Sequence, residues 1–108
     1  MNDFDKIIWS DTLVLVEFFA SWCGPCRAMD PTVERFRRTM NGRAEVLRIN
    51  IDDEQMLPIV RRYRIRTVPT LLLFHRGEER WRRSGITSYE EMAAALEQTE
   101  ALIHATPH

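Results

Sequence analysis

Hydrophobic and polar positions along the chain predict alternating helices and strands. The run TLVLVEFFA at 12–20 is rich in β-branched and aromatic residues and apolar on both faces, which is typical of a buried central strand. A short helix is predicted before it, at 3–9. After it, apolar residues recur three and four positions apart over 24–40 and predict an amphipathic helix; they are Met29, Val33, Phe36 and Met40.

The second half of the chain predicts three more strands and two more helices. Alternation over 45–51 predicts a strand, and an apolar run at 70–74 predicts another, followed by a hairpin turn around Gly77 and a shorter strand near 79–84. The letters DDEQ offer a helix N-cap for a short helix that ends near Tyr63.

A long helix closes the chain and begins at two overlapping capping boxes. Thr87 pairs with Glu90 in one of them, and Ser88 pairs with Glu91 in the other. The resulting order, α-β-α-β-α-β-β-α, predicts an α/β fold in which helices flank a mixed sheet, parallel early and antiparallel late.

Composition limits the function classes. The 108 residues predict a single domain, 1–108, with 44% hydrophobic and 29% charged residues. The net charge of -1 gives no field that recruits nucleic acid or a membrane. All basic residues except Lys6 are arginines, but apolar residues interrupt their clusters, which favours solvated faces over nucleic-acid binding. Without a signal-peptide pattern or a run long enough to span a bilayer, the chain is expected in the cytoplasm.

The only two cysteines lie in WCGPC at 22–26, where the first strand meets the long helix. A structural disulfide, half of a metal site and a redox catalyst all fit this spacing, but a reducing compartment disfavours a structural disulfide. Residues i and i+3 in a first helical turn are close enough for a disulfide. The helix N-terminus favours a thiolate, so Cys23 is predicted to be the exposed nucleophile and Cys26 the resolving thiol. Pro25 costs no hydrogen bond there and stiffens the link.

A metal site is the main chemical alternative for the cysteines. His104 and His108 could supply the two histidines of a zinc-finger pattern. In a zinc finger, however, roughly 12–15 residues separate the cysteine pair from the histidine pair, and here the gap is far longer. The two histidines also lie in a tail that is expected to fray. Two cysteines could also bridge a cluster between two subunits. The redox interpretation is preferred, and neither a metal nor a nucleotide cofactor is expected.

Three motifs make the chain resemble the thioredoxin family: WCGPC, the proline five residues after it (Pro31), and TVPT at 67–70. The resemblance runs from about Ile8 to Ile103. It implies a thioredoxin fold, reduction of protein disulfides through a Cys23–Cys26 redox-active disulfide, and re-reduction by a thioredoxin reductase. It also implies a cis Pro69 and a peptide-binding surface formed by Trp22, Gly24, Pro25, Ile51, Val68, Pro69 and Gly85.

Plainer interpretations stand beside these. Trp22 could pack on the helix, Gly85 could simply end a strand, and Pro69 could be a trans turn residue. The fold could serve a thiol oxidant or isomerase, although Gly-Pro between the cysteines favours a reductant. It could also be a binding module with incidental thiols. Nothing in the sequence demands more than a monomer.

The chain departs from the family pattern in ways that bear on the site. Only a short helix fits before the cysteine strand, so a sheet of four strands is expected, with five strands as the alternative. Phe19 stands where the family often has tryptophan, Glu17 where it has a buried aspartate, and Arg48 where it has lysine. A desolvated Glu17 should hold its proton tightly and take the proton of Cys26 through water. The alternatives are a Glu17–Arg48 ion pair without a catalytic part, or an Arg48 turned to solvent.

Overall fold

The computed structural model describes residues 2–105, and its elements follow the predicted order. The helices are α1 (Asp3–Ile8), α2 (Gly24–Thr39), α3 (Leu57–Arg62) and α4 (Tyr89–Ala105). The strands are β1 (Leu13–Phe19), β2 (Ala44–Asn50), β3 (Thr70–His75) and β4 (Glu78–Ser84). A single 3₁₀ turn, Glu54–Met56, leads into α3 and is capped by the Asp53 side chain.

The sheet is mixed and has the strand order β2-β1-β3-β4. The β1–β2 pair is parallel, while β1–β3 and β3–β4 are antiparallel. This confirms the predicted mixed sheet and, within residues 2–105, its four strands. The register sets Glu17 of β1 opposite Arg48 of β2 on one side and Leu71 of β3 on the other.

Each face of the sheet is covered by helices. Successive side chains of β1 point to opposite faces and are apolar on both, so both faces must be buried. Leu13 and Leu15 point into a core formed with α2 and α4. Val14, Val16 and Phe18 point into a second core formed with α1 and α3. Position 17 belongs to the first set by its parity, so Glu17 lies on the side of the sheet that carries α2.

Local sequence signals explain where α4 begins. The Ser88–Glu91 capping box is confirmed, since the Glu91 N–H donates to Ser88 Oγ at 3.1 Å and the Ser88 N–H donates to Glu91 Oε1 at 3.3 Å. The Thr87–Glu90 box is wrong: the Thr87 hydroxyl donates to the Gly85 carbonyl instead, because the helix begins one residue later than that box requires.

The predicted hairpin turn around Gly77 is confirmed, and its two central residues have positive φ. Arg76 has φ 50° and Gly77 has φ 79°, a combination that matches the twist of a two-residue hairpin. The Gly77 N–H donates to the Ile8 carbonyl at 2.7 Å, which ties the end of α1 to this turn. The hairpin therefore lies at the end of the sheet opposite the cysteines.

Candidate active site: the paired thiols

The cysteine pair lies where β1 leads into α2, as predicted. Cys23 is the N-cap residue of α2, and Pro25 occupies the first turn of the helix. A disulfide joins Cys23 to Cys26, with their Cα atoms 5.3 Å apart. The Cys26 N–H also donates to Cys23 Sγ at 3.2 Å. The unpaired N–H groups and dipole of the helix terminus therefore act on the sulfur of Cys23.

The predicted exposure of Cys23 is wrong for this disulfide form. Cys23 is 4% exposed and Cys26 is 2% exposed, so the two thiols do not differ in access. The reason is tertiary packing: Ile51 and Val68 cover the pair, and Cys23 Sγ lies 3.7 Å from the Val68 carbonyl oxygen. What distinguishes Cys23 is its capping position, since its sulfur receives the N–H of the helix.

The structure gathers the residues of the expected peptide-binding surface at one end of the sheet. The Val68–Pro69 bond is cis, as predicted. The Gly85 N–H donates to the Pro69 carbonyl at 2.8 Å, and Gly85 takes a positive φ of 89°. Ile51 is held beside β1 by its N–H, which donates to the Phe19 carbonyl. Gly24 and Pro25 are exposed at the start of α2.

Trp22 is 65% exposed next to the thiols, and its orientation is fixed by a residue that sequence analysis missed. The indole Nε1–H donates to Asp52 Oδ2 at 2.9 Å. Asp52 follows β2, and Trp22 follows β1. Because the carboxyl ends of neighbouring parallel strands share an edge of the sheet, this pairing could have been anticipated from the strand order.

Glu17 is fully buried and makes one ion pair. Its exposed fraction is 0%, and Arg48 Nε donates to Glu17 Oε1 at 2.8 Å. Within residues 2–105, Glu17 Oε2 has no hydrogen-bond partner. Burial raises the pKa of Glu17 above its ordinary value, while the hydrogen bond and charge of Arg48 oppose the rise and the charge of Asp30 adds to it. The predicted burial and the contact with Arg48 are therefore confirmed.

Arg48 does not turn out to solvent, so that alternative is wrong. Its Nη2 donates to Asp30 Oδ1 at 2.8 Å, and its guanidinium lies 4.4 Å from the centre of the Phe19 ring. Asp30 was missed by sequence analysis. The available signal was its spacing, because residue i+4 from Cys26 lies on the same face of α2 one turn further along.

A cavity of about 260 Å³ opens beside Cys26. Its volume is enough for several water molecules. Glu17 is not part of the lining, but its partner Arg48 is. The lining residues are Phe19, Ala20, Ser21, Cys26, Arg27, Asp30 and Arg48. The Cys26 side chain therefore borders an open space whose wall includes Asp30 and the cation that binds Glu17.

His75 and His104 lie at the end of the sheet away from the thiols. His104 lines a cavity of about 310 Å³ at the opposite end of the sheet, together with Asp11, His75 and Glu100. His108 lies outside the described residues. No three His, Cys, Asp or Glu side chains between residues 2 and 105 are grouped to hold a metal ion. Over the same residues, no helix has both the length and the apolar character needed to cross a membrane.

Comparison with known proteins identifies the family. The family model for thioredoxin matches residues 1–98. The chain belongs to the thioredoxin family. Thioredoxin of Rickettsia felis is 37% identical over 81 residues, which cover 75% of each chain. Thioredoxin 1 of Chlorobaculum tepidum is 34% identical over 82% of this chain and 85% of its own length. Thioredoxin of Pseudomonas aeruginosa is 35% identical over 84% of this chain and 82% of its own length.

Family membership explains the arrangement of this end of the sheet. The thioredoxin motif of the chain is the Cys23–Cys26 pair, and the cis Val68–Pro69 bond lies against it. Four strands suffice here to carry the thioredoxin fold within the described residues.

Proposed function

We propose that this chain reduces disulfide bonds in other proteins by cycling Cys23 and Cys26 between dithiol and disulfide. The observation that carries the proposal is the position of Cys23 Sγ. It caps α2, receives the Cys26 N–H at 3.2 Å and lies within bonding reach of the second thiol. A sulfur in this position is stabilised as a thiolate, which is the nucleophile in disulfide exchange.

The first exchange joins the substrate to Cys23 through a mixed disulfide. The Cys23 thiolate attacks one sulfur of the substrate disulfide, forms a Cys23–substrate disulfide and expels the other substrate sulfur as a thiolate. Because the attacking group is already ionised at the helix terminus, no proton needs to leave the protein in this step. The expelled thiolate takes its proton from solvent.

The second exchange releases the substrate. Cys26 loses its proton, and its sulfur attacks Cys23 Sγ to form the Cys23–Cys26 disulfide, while the remaining substrate sulfur leaves as a thiolate. Two electrons have then passed from the protein to the substrate. We assign the proton of Cys26 to Glu17 through water in the adjacent cavity. Arg48 is the positioning residue because it binds Glu17 and lines that cavity.

The substrate is held as an extended segment against the loop of the cis proline. The Val68 carbonyl lies beside Cys23 Sγ, so backbone groups at Val68 can pair with a peptide strand placed across the thiols. Around it lie the further proposed contacts, Trp22, Gly24, Pro25, Ile51, Pro69 and Gly85. The exposed indole of Trp22 offers the largest apolar surface among these contacts.

We infer that a thioredoxin reductase restores the dithiol, with no cofactor resident in this chain. The relatives matched in three bacteria are named thioredoxin, which supports a reductase of that kind. We further propose electron transport for redox homeostasis in the cytoplasm, with the chain acting as a monomer. A compartment that keeps thiols reduced suits a protein whose two cysteines both take part in exchange.

Trapping of mixed disulfides tests the assigned roles. In Cys26→Ser the first exchange survives and resolution is lost, so covalent complexes with insulin or lysate proteins should accumulate on non-reducing gels. The matched variant Cys23→Ser should trap none. Wild type with thioredoxin reductase and NADPH should reduce insulin, and both variants should lose this turnover by several orders of magnitude. Equal trapping by the two variants would contradict the assigned order, and thiol-independent complexes would indicate a binding module.

A further inference from the structure

The guanidinium of Arg48 is shared between two carboxylates. Its Nε donates to Glu17 Oε1, and its Nη2 donates to Asp30 Oδ1, each at 2.8 Å. Arginine commonly binds both oxygens of one carboxylate in a parallel pair of hydrogen bonds. Here the second donor is committed to Asp30, and within residues 2–105 Glu17 Oε2 is left without a partner in a fully buried position.

Asp30 differs from Glu17 in access. Its side chain is 46% exposed and lines the cavity beside Cys26, one turn away on the same helix. Glu17, on β1, is fully buried and is absent from that lining, but its partner Arg48 lines the cavity. The arginine thus joins a carboxylate at the wall of the cavity to a buried one directly behind that wall.

We propose that Asp30 is a positioning residue for the resolving step. By holding Nη2 of Arg48, it keeps the guanidinium in the wall of the Cys26 cavity and prevents it from pairing with both oxygens of Glu17. Glu17 therefore keeps the capacity to bind the proton that Cys26 releases. This inference rests on the proposed function, because it assigns a part in the exchange that Cys26 performs.

The charges that face Glu17 determine in which direction its pKa should move when Asp30 is replaced. Arg48 reaches it from β2 and Asp30 approaches from α2, while its neighbour on β3 is the apolar Leu71. Burial is the main cause of the raised pKa of Glu17, Arg48 lowers it, and the negative charge of Asp30 raises it again. Removal of that charge should lower the pKa of Glu17, both directly and by freeing Arg48 for a two-point contact.

The proton step itself is balanced. The Cys26 thiol becomes a thiolate as the Glu17 carboxylate becomes a carboxylic acid, and the thiolate then forms the disulfide with Cys23. Glu17 afterwards returns the proton to water through the cavity. A carboxylate paired at both oxygens with arginine is a weaker base, so loss of Asp30 should weaken this transfer without removing either thiol.

Direct titration of Glu17 tests the inference without any substrate. The carboxyl carbon of Glu17 would be followed by NMR over a pH series in the oxidised protein. Asp30→Asn removes the charge, and Asp30→Ser also removes the reach to Arg48. We expect the midpoint to move to lower pH in Asp30→Asn and further in Asp30→Ser. Asp30→Glu should restore a midpoint near that of the wild type.

Glu34→Gln is the matched control. It removes one negative charge from the same helix, where the exposed Glu34 pairs with Arg37 rather than Arg48. The Glu17 midpoint should not move in this variant. An unchanged midpoint in both Asp30 variants, or an equal shift in Glu34→Gln, would overturn the inference. Because the oxidised protein is titrated, this outcome is independent of whether the chain reduces any disulfide.

A kinetic measurement then links the titration to exchange. Release of substrate from the Cys23 mixed disulfide would be followed in single turnovers across pH. The inflection assigned to Glu17 should shift to lower pH in Asp30→Asn, in the same direction as the NMR midpoint. In a Glu17→Gln background, Asp30→Asn should change the profile no further. Additive effects of the two substitutions would show that Asp30 acts independently of Glu17 and would contradict the proposal.

Discussion

The two ends of the sheet each carry a glutamate bound to an arginine, with opposite effects on the glutamate. At the thiol end, Arg48 binds the buried Glu17, and burial raises the pKa of that carboxyl group. At the far end, Arg43 donates to both oxygens of Glu100, at 2.6 and 3.2 Å, and these hydrogen bonds lower the pKa of Glu100. Similar side chains therefore produce opposite shifts.

Burial and the number of hydrogen bonds explain this difference. Glu100 lies at the surface with both oxygens bound, so the charged form is well stabilised. Glu17 has lost all contact with solvent and receives one hydrogen bond at a single oxygen. When desolvation exceeds the attraction to the cation, the neutral carboxylic acid is favoured. A contact with arginine is thus insufficient to identify a structural ion pair.

The largest expected effect separates the two arginines. At pH values where Glu17 is ionised, Arg48→Ala should lower the free energy of unfolding by about 3 kcal/mol, because it leaves a buried charge without its partner. Arg43→Ala should lower it only slightly and by far less than Arg48→Ala, since solvent replaces most of the lost contact. Urea denaturation at neutral pH measures both. Equal losses would show that burial does not distinguish the two pairs.

Sequence was sufficient where neighbours along the chain decide the structure. The strand at 12–20 and the helix at 24–40 follow from local periodicity, and the N-cap position of Cys23 follows from their junction. The Ser88–Glu91 box is likewise local. The competing Thr87 box failed because adjacent hydroxyls offer the same signal, and sequence alone does not tell which one begins the helix.

Sequence was insufficient where distant segments meet. Cys23 is buried because Val68 packs against it, and nothing near residue 23 in the sequence reports that contact. Sharing of Arg48 between Glu17 and Asp30 also needs the docking of α2 onto β1 and β2. The burial of the thiols and the charges around Glu17 are therefore tertiary features, whereas the capping position of Cys23 is a local one.

The two exposed tryptophans extend the comparison with a smaller effect. Trp22 is 65% exposed at the thiol end, and Trp9 is 58% exposed at the hairpin end. Trp9 lies against the turn, because a Cβ atom at Gly77 would come within 2.8 Å of its ring. Trp22→Ala should raise the KM for insulin about tenfold, as expected for loss of a central aromatic contact.

Trp9→Ala is the matched control for Trp22. It should leave the KM unchanged and lower the free energy of unfolding by about 1 kcal/mol, since it removes apolar packing from the α1–hairpin contact. Thermal denaturation of both variants completes the measurement. A higher KM in Trp9→Ala, or an unchanged KM in Trp22→Ala, would contradict the assignment of the peptide-binding surface to the thiol end.

The smallest effect is a pH dependence of stability with opposite signs at the two ends. A carboxyl group whose pKa is raised on folding stabilises the protein below the ordinary value of 4.5, and this contribution is lost as pH rises through the folded pKa. Glu17→Gln should therefore gain stability relative to wild type as pH increases above 4.5, by about 1 kcal/mol. Glutamine keeps an oxygen that can accept from Arg48, so little packing is lost.

Glu100→Gln should show the reverse. The lowered pKa of Glu100 stabilises the protein above 4.5, and this contribution disappears as pH falls through the folded value. The variant should therefore be less stable than wild type near neutral pH and equal to it in acid. Urea denaturation from about pH 4 to pH 8 would give both difference curves. Curves of the same sign would show that Arg48 holds the pKa of Glu17 below 4.5, which would make this carboxylate a weaker base than an ordinary one, and the proton acceptor for Cys26 would have to be sought elsewhere in the cavity.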